Sequence, residues 1–531
     1  MTGPDLTVLN WLLAATPLVV LAGALLWLNR PAEQAGAAAF VLAGALALLV
    51  FGAEWGHVGI AAIKGVNLAA FVFTIVWAAV FLYNILERLG AVDAVGRHMA
   101  ALSGDQLAQS LIIAWGFSST IQGVSGFGVP VAVAAPLLIM LGVPPVRAAA
   151  MTLVGHGWAV TFGSLGSSYY TIQLVTGIEE TVIAPHMALL FLPVTLASGV
   201  LVAHIQGGLR AVWRSLPVVI VAGGVMFGAM YGLALAGAPS VASLGAGMLG
   251  TAALVVLCRT PLLVGARSTG AGAAPAAEPD GGGMPPALAF MPYFLLIGLS
   301  FVAQVGPVKE VVSGLRLAFD YPGFTTGEGF VVARAVDYAS IGLLSHPAPL
   351  ILIATAVSAA VYVATRRWRA GLVSGALRFT YDQCVGTTLG VLGMVAMAVV
   401  MADTGMTVLL AQGIAKVSGP FFPLASPFIG LLGSFMSGSN TNSNVMFGLL
   451  QVETARALGI GAVTIASFQS IGASVGSSMA PAKVVVGATV AGLGDEVRAI
   501  FRIVIPYVLA LVLLAGVEAF VIVRFLPGLA R

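Results

Sequence analysis

Two polar, glycine-rich motifs, one in each half of the chain, carry the groups that could hold a small solute. The first reads SGFGVPVAVA, Ser125 to Ala134, and is followed by GSLGSS, Gly163 to Ser168. The second reads SGSNTNSNVMFG, Ser437 to Gly448, and is followed by GASVGSS, Gly472 to Ser478. The spacing is similar in the two copies: 41 residues from Ser125 to Gly166 and 39 from Ser437 to Gly476. Both copies interrupt strongly apolar sequence. Polar, irregular backbone can lie at membrane depth only where protein buries it or where it lines a watery cavity. Paired interruptions at matching places in two halves point to the substrate site of a carrier.

The second motif is chemically the richer. Ser437, Gly438, Ser439, Asn440, Thr441, Asn442 and Asn444 offer donors and acceptors directly before the apolar run VMFGLLQV. Ser, Thr and Asn are favoured helix N-caps. A helix starting here would aim its free N–H groups and its positive dipole end at whatever fills the space before it, which suits a carboxylate. In the first motif Ser125, Gly126 and Gly128 take the matching place, and Val129-Pro130 leads into the next apolar helix, where proline fits the first turn. Its plainer reading is tight packing through small residues. Ser167 and Ser477, in the two Gly-Ser-Ser runs, mark a second break in each half. All of these are candidate substrate-binding residues.

Three ionisable residues stand in apolar sequence. His156, flanked by glycines in MTLVGHGWAVTFG, is a candidate proton carrier or carboxylate donor. Lys483, just past Pro481, could complement an anionic substrate, or it could snorkel to the interface. Asp403, before a Thr404-Gly405 break, is a candidate coupling carboxylate, or a helix-end residue facing outward. Glu453 has Arg456 three residues on and reads as a structural pair.

The elements that must position these groups follow from composition. The chain is 59% hydrophobic and 8% charged, with mean hydropathy +1.03, against roughly 25% charged residues in a soluble domain. Long apolar runs rather than short alternating ones predict an all-α polytopic membrane protein of about 12–14 spans. The net charge of +3 is spread over loops, so no nucleic-acid partner is expected. The two cysteines, Cys258 and Cys384, lack CxxC spacing, and no disulfide, metal or cofactor is assigned. The first apolar run, Trp11 to Leu28, lacks a basic n-region and is kept as a transmembrane helix rather than a signal peptide.

Residues 1–267 form the first transmembrane half, with its motif region at 119–168. Residues 268–285 form a flexible cytoplasmic linker rich in Gly, Ala and Pro. Residues 286–531 form the second half, with its motif region at 432–489. Basic residues fall on one side if the N-terminus is outside: Arg30, Arg88, Arg97, Arg210, Arg214, Arg259, Arg267, Arg366, Arg367, Arg369, Arg378, Arg498 and Arg502. The two motif regions then cross in opposite senses. This predicts inverted-topology repeats with broken helices or re-entrant hairpins. Between them, Val308 to Phe319 (VKEVVSGLRLAF) is expected to lie on the surface as an amphipathic helix.

At these motifs the chain resembles the lactate permease family, bacterial inner-membrane carriers of lactate and glycolate. The likeness lies in SGFGVPVAVAAPLLIMLG with AVTFGSLGSS, in DTGMTVLLAQGIA, and in GLLGSFMSGSNTNSNVMFGLLQ with SVGSSMAP, about half the chain. It implies secondary transport of small 2-hydroxymonocarboxylates, generally coupled to protons. The chain departs from the family pattern at four places. An Asp often stands at the position of Asn440, a Ser at Asn442, an Asn at His156, and Gln-Ser at Ala482-Lys483. These changes remove an anion and add a possible cation and a histidine. Either the site suits a differently charged or larger acid, or proton coupling has moved.

The expected protein is therefore a proton-coupled symporter of small monocarboxylates in the bacterial inner membrane, not an enzyme, and the reading accommodates an oligomer. The competing readings are a carrier of another small organic anion, a dicarboxylate or sulfonate, with sodium coupling left open, and an anion channel. Inverted halves within one chain favour a carrier over a channel.

Overall fold

The computed structural model describes residues 5–100, 105–126, 128–258, 260, 284–493 and 497–530. The expected linker lies outside the described residues except for its last two positions, as do Phe127 of the first motif, Arg259 and Arg267.

Four helices open the chain: α1 (Val8–Leu26), α2 (Ala32–Leu49), α3 (Trp55–Arg88) and α4 (Ala91–Ala100). Next comes α5 (Gln106–Ser110), which continues through a π-helical turn into α6 (Ser118–Val124). The first motif region then gives α7 (Val129–Met140), α8 (Pro145–His156) and α9 (Ser167–Thr176). The half closes with α10 (Glu180–Leu190), α11 (Leu192–Leu235) and α12 (Ala242–Leu257). The second half runs through α13 (Pro286–Val302), α14 (Gly306–Ser313), α15 (Pro347–Ala364), α16 (Leu372–Asp403) and α17 (Met406–Ser418). Its motif region gives α18 (Phe422–Ser437), α19 (Asn440–Leu458), α20 (Ala462–Gly476) and α21 (Pro481–Val490), and α22 (Val497–Phe525) ends the fold.

Nine stretches among the described residues are long and apolar enough to cross a membrane. The twelve to fourteen spans expected from the sequence also took in the shorter helices around the breaks. Two expected spans, 183–205 and 216–237, fall largely in one helix, α11, broken at Gly207-Gly208 by non-helical backbone just before Arg210 and Arg214.

The packing exchanges the two halves. α2 packs on α16 as α15 packs on α3, and α1 packs on α17 as α13 packs on α4. α7 packs on α21 as α19 packs on α9. On this pairing α3 and α16 are counterparts, and they cross each other through three polar rungs. Asn84 donates to Thr380 Oγ1 at 3.0 Å, Trp77 Nε1 to Thr388 Oγ1 at 2.9 Å, and Lys64 Nζ to Asp403 Oδ2 at 2.6 Å. As the number on α3 falls, its partner's number on α16 rises, so the two helices run antiparallel. Counterparts that point in opposite directions are what inverted-topology repeats require. At 34 and 32 residues, these helices are about 50 Å long at 1.5 Å per residue, well over the ~30 Å hydrocarbon thickness.

The β structure among the described residues, two small two-stranded sheets, corrects an expectation. The amphipathic helix predicted over 308–319 ends early, as α14, and residues Arg316–Tyr321 form strand β1. Two short strands follow, β2 (Phe324–Thr325) and β3 (Val331–Val332), and then β4 (Ala335–Gly342). β1 pairs antiparallel with β4, with Leu317 opposite Ile341 and Phe319 opposite Tyr338. Leu317, Phe319 and Tyr321 alternate with period two, and a partner strand twenty residues on satisfies their backbone. This hairpin is tied to α3, where Asn67 donates to the Tyr338 carbonyl at 2.7 Å and Lys64 lies over the Tyr338 ring.

Both members of the Lys64–Asp403 pair are buried, so removing one charge should cost far more than removing both. Asp403→Asn or Lys64→Met alone is expected to destabilise by about 3–5 kcal/mol. The double variant Lys64→Met with Asp403→Leu should recover most of that loss. Thermal unfolding of the purified variants measures it, and additive losses in the double variant would mean the pair is not coupled.

Candidate functional site

Each motif breaks a helix where the sequence places glycine. Gly128 has φ +86° and Gly438 has φ +73°, in the left-handed region that side chains with a Cβ rarely adopt. Beyond these glycines new helices begin. α7 starts at Val129 with Pro130 in its first turn, and α19 starts at Asn440 behind Ser439, whose Oγ accepts from Asn442 N at 3.4 Å. The later Gly-Ser-Ser runs give the second pair of breaks. One lies between α8 and α9, and the other falls at residues 477–480, before Pro481 opens α21. The N-termini of α7, α9, α19 and α21 thus all follow a break.

The breaks of one half are held by groups of the other. Asn440 Nδ2 donates to Thr161 Oγ1 at 2.9 Å, and Ser168 Oγ and Thr441 Oγ1 lie 2.9 Å apart. Asn444 Nδ2 donates to the Ser168 carbonyl and to Ser470 Oγ, each at 3.0 Å. Ser474 Oγ donates to the Gly157 carbonyl at 2.7 Å and accepts from Thr161 N at 3.2 Å. These bonds pair the side-chain N–H and hydroxyl groups across the halves, while the side-chain oxygens of Asn440, Asn442 and Asn444 stay buried without a protein partner.

A cavity of about 610 Å³, counting the space at its mouth, opens where these breaks meet. Of the sequence candidates, Gly126, Ser167, Gly438, Ser439, Asn440, Thr441 and Lys483 line it. Ser125, Gly128, His156, Ser437, Asn442, Asn444 and Ser477 do not. Ser437 Oγ donates to the Gly433 carbonyl at 2.7 Å and serves its own helix end. Gly128 packs beside Val486. Ser477 lies one step from the cavity, accepting a hydrogen bond from Lys483 Nζ at 2.9 Å. Asn444 lies a similar step away, behind Ser168. His156 is fully buried, with Nδ1 2.6 Å from the Thr152 carbonyl, the next turn of its own helix. Asp403 sits twelve residues beyond the cavity-lining Val391, about 18 Å along α16, in its pair with Lys64.

Other lining residues are not among the candidates read from sequence, although Gln122, Val160, Ser164 and Ser168 fall within the first motif region. Val72, Phe73 and Val76 of α3 form an apolar wall, continued by Val391 of α16 and Val160. Thr387 and Thr388 add hydroxyls, and the Trp77 bond fixes Thr388. Gln122, Ser164 and Ser168 complete the polar side. The α3 residues carry no sequence signal, being part of a long apolar run. The Thr387-Thr388 pair within α16 is a faint one. The letters Gly472-Ala-Ser474-Val-Gly476 match those of a nucleophile elbow. Ser474, however, lies inside α20 rather than on a strand-to-helix turn, and its hydroxyl is spent on Gly157. The arrangement presents one ammonium, several hydroxyls, two carboxamides and an apolar wall, which suits non-covalent capture of a small anion.

Antiparallel counterpart helices, with a polar cavity between paired helix breaks, define a polytopic membrane protein built on inverted repeats. The sequence profile of the family described as L-lactate permease matches residues 10–526. An L-lactate permease of Streptococcus iniae is 28% identical, over 72% of this chain and 77% of its own length. The glycolate permease GlcA of Escherichia coli is 26% identical, over 96% and 95%. The solved YdaH transporter of Alcanivorax borkumensis aligns over 88% of both chains at 16% identity, with TM-score 0.47. The chain belongs to the L-lactate permease family and is a multi-pass transporter of the bacterial inner membrane.

Asn444 bridges the halves from behind the cavity, so its loss should show as instability. Asn444→Ala leaves the Ser168 carbonyl and the Ser470 hydroxyl without that donor, at about 1–3 kcal/mol. Thermal unfolding without ligand should register the loss. An unchanged midpoint would mean the two groups find other partners.

Proposed function

We propose that the protein carries small 2-hydroxymonocarboxylates, of the size of glycolate and lactate, in symport with a proton. The observation that carries this reading is the cavity at the paired breaks, with Lys483 as its one lining cation. The carboxylate sits against Lys483 and the N-terminal turn of α19, whose positive dipole end favours an anion. The 2-hydroxyl is matched by Asn440, Thr441 and Ser168, and the short carbon tail by Val72, Phe73 and Val76. A second carboxylate would meet this apolar wall without a counter-charge, which disfavours dicarboxylates. The names of the relatives support the same substrate class.

One observation favours a second reading, sodium coupling. The side-chain oxygens of Asn440, Asn442 and Asn444 are buried and without a protein partner, and Na⁺ sites use such oxygens. Lys483 shares the cavity with Asn440 and opposes a second cation there, so the proton is preferred.

Counterflow in proteoliposomes tests the reading. Glycolate and L-lactate should exchange, while lactamide and small dicarboxylates should not. An imposed inward proton gradient should drive accumulation, and a sodium gradient alone should not. Asn440→Ala should cut uptake about tenfold or more, the equivalent of ~1.4 kcal/mol or more, with the protein still monodisperse. Exchange of dicarboxylates but not of monocarboxylates would overturn the substrate class. Accumulation driven only by sodium would overturn the proton.

A further inference from the structure

Lys483 lines the cavity and is 6% exposed. Its Nζ donates to Ser477 Oγ at 2.9 Å. Among the described residues no carboxylate lies within 4.0 Å of it; the ion pairs of the fold join other groups. An ammonium has three N–H donors, and Ser477 takes one. Of the elements packed against α21, α7 bears no ionisable side chain, α8 bears Arg147 and His156, and α22 bears Arg498, Arg502, Tyr507 (which bonds His204), Glu518 and Arg524. His156 is the one that faces this region, beside Gly157 and the 477–479 turn. With Nδ1 given to the Thr152 carbonyl, a neutral ring offers only a lone pair at Nε2. Nothing in this surrounding neutralises a cation at Lys483.

A buried ammonium without a counter-ion costs several kcal/mol, whereas the same ammonium against a carboxylate is compensated. A neutral amine escapes that cost and keeps an N–H to donate to Ser477 Oγ, whose own proton goes to the Ser474 carbonyl at 2.8 Å. The charge at this position is therefore tied to whether an anion is present. We propose that Lys483 is the group that carries the coupled proton, a step that rests on the anion-binding reading above. As the carboxylate enters, the Lys483 amine takes one proton from the same side and becomes the ammonium that pairs with it. On the other side the carboxylate and the proton leave together, and the carrier returns with a neutral amine. One proton moves with each anion, no net charge crosses, and an unpaired cation is never carried through the apolar scaffold. Loaded and empty carriers are then both free of uncompensated charge at the cavity, which ties the proton to the anion one for one.

Calorimetric titration of the purified protein with glycolate and L-lactate, in buffers of different ionisation enthalpy, counts the protons bound with the anion. Wild type should take up close to one proton per anion in the neutral to alkaline range. Lys483→Arg keeps a permanent charge, so it should still bind but take up no proton. In proteoliposomes its anion flux should respond to membrane potential rather than to a pH gradient. Lys483→Gln should lose proton uptake and about tenfold or more in affinity, and it decides the question if Lys483→Arg does not fold. Proton uptake unchanged in either folded variant would assign the proton to another group, such as His156, and overturn the proposal. So would wild-type binding with no proton uptake at any pH, which would leave the substrate assignment standing. Failure of wild type to bind any small carboxylate would instead sink the functional reading on which the proposal rests.

Discussion

A helix that breaks inside a bilayer exposes backbone N–H and C=O groups to a medium that cannot hydrogen-bond them, and each such group costs several kcal/mol. This protein has four breaks of that kind, and the rest of the structure is arranged around them. Each half satisfies part of its own, as Ser443 does at Gly430 and Tyr169 at Thr161, and draws further partners from the other. The hydroxyl of Ser474 in the second half reaches Gly157 in the first, and the amide of Asn444 reaches Ser168. The two motif regions are thus each other's solvent. That dependence also explains why the cavity lies between the halves. Complete mutual burial would close it, and the polar groups left over at the junction are those available to a solute.

The scaffold that allows this is the antiparallel crossing of α3 and α16. Its three polar rungs fix the register of two helices about 50 Å long, and the outermost rung, Lys64 to Asp403, is a buried ion pair. The same two helices supply the apolar wall of the cavity, through Val72, Phe73, Val76 and Val391. Polar breaks on one side and a rigid apolar face on the other give a site with a charged end and a greasy end. A short hydroxy acid has the same division.

The ionisable residues divide by what faces them. Lys64 and Asp403 neutralise each other and have no charge left for a solute. Glu453 is paired with Arg456 one turn away. Lys483 faces the cavity with only a hydroxyl for company. Charge in the membrane is costly enough that such a group calls for an explanation from function, and the anion of the proposed function would provide one.

Much of this was legible in the sequence. Composition alone determined a polytopic helical membrane protein, because no soluble core needs so little charge. The repeat of SGFGVP and SGSNTNSN located the breaks, because glycine and hydroxyl side chains announce a local change of backbone whatever the surroundings. Both motif regions contribute to the cavity. Other features belonged to the tertiary structure. Asp403 looks the same in sequence whether its partner is a proton, a solvent molecule or Lys64, which stands 339 residues earlier. Val72, Phe73 and Val76 are indistinguishable from any lipid-facing run until α3 is placed against the breaks. The strand at Arg316–Tyr321 depends on a partner strand, and β pairing is a non-local contact that local periodicity does not disclose. Sequence determines which backbone can bend and which side chains can bond. Which of those side chains face the cavity and which face each other is decided by how the two halves pack, because a buried polar group takes the partner that packing brings within reach.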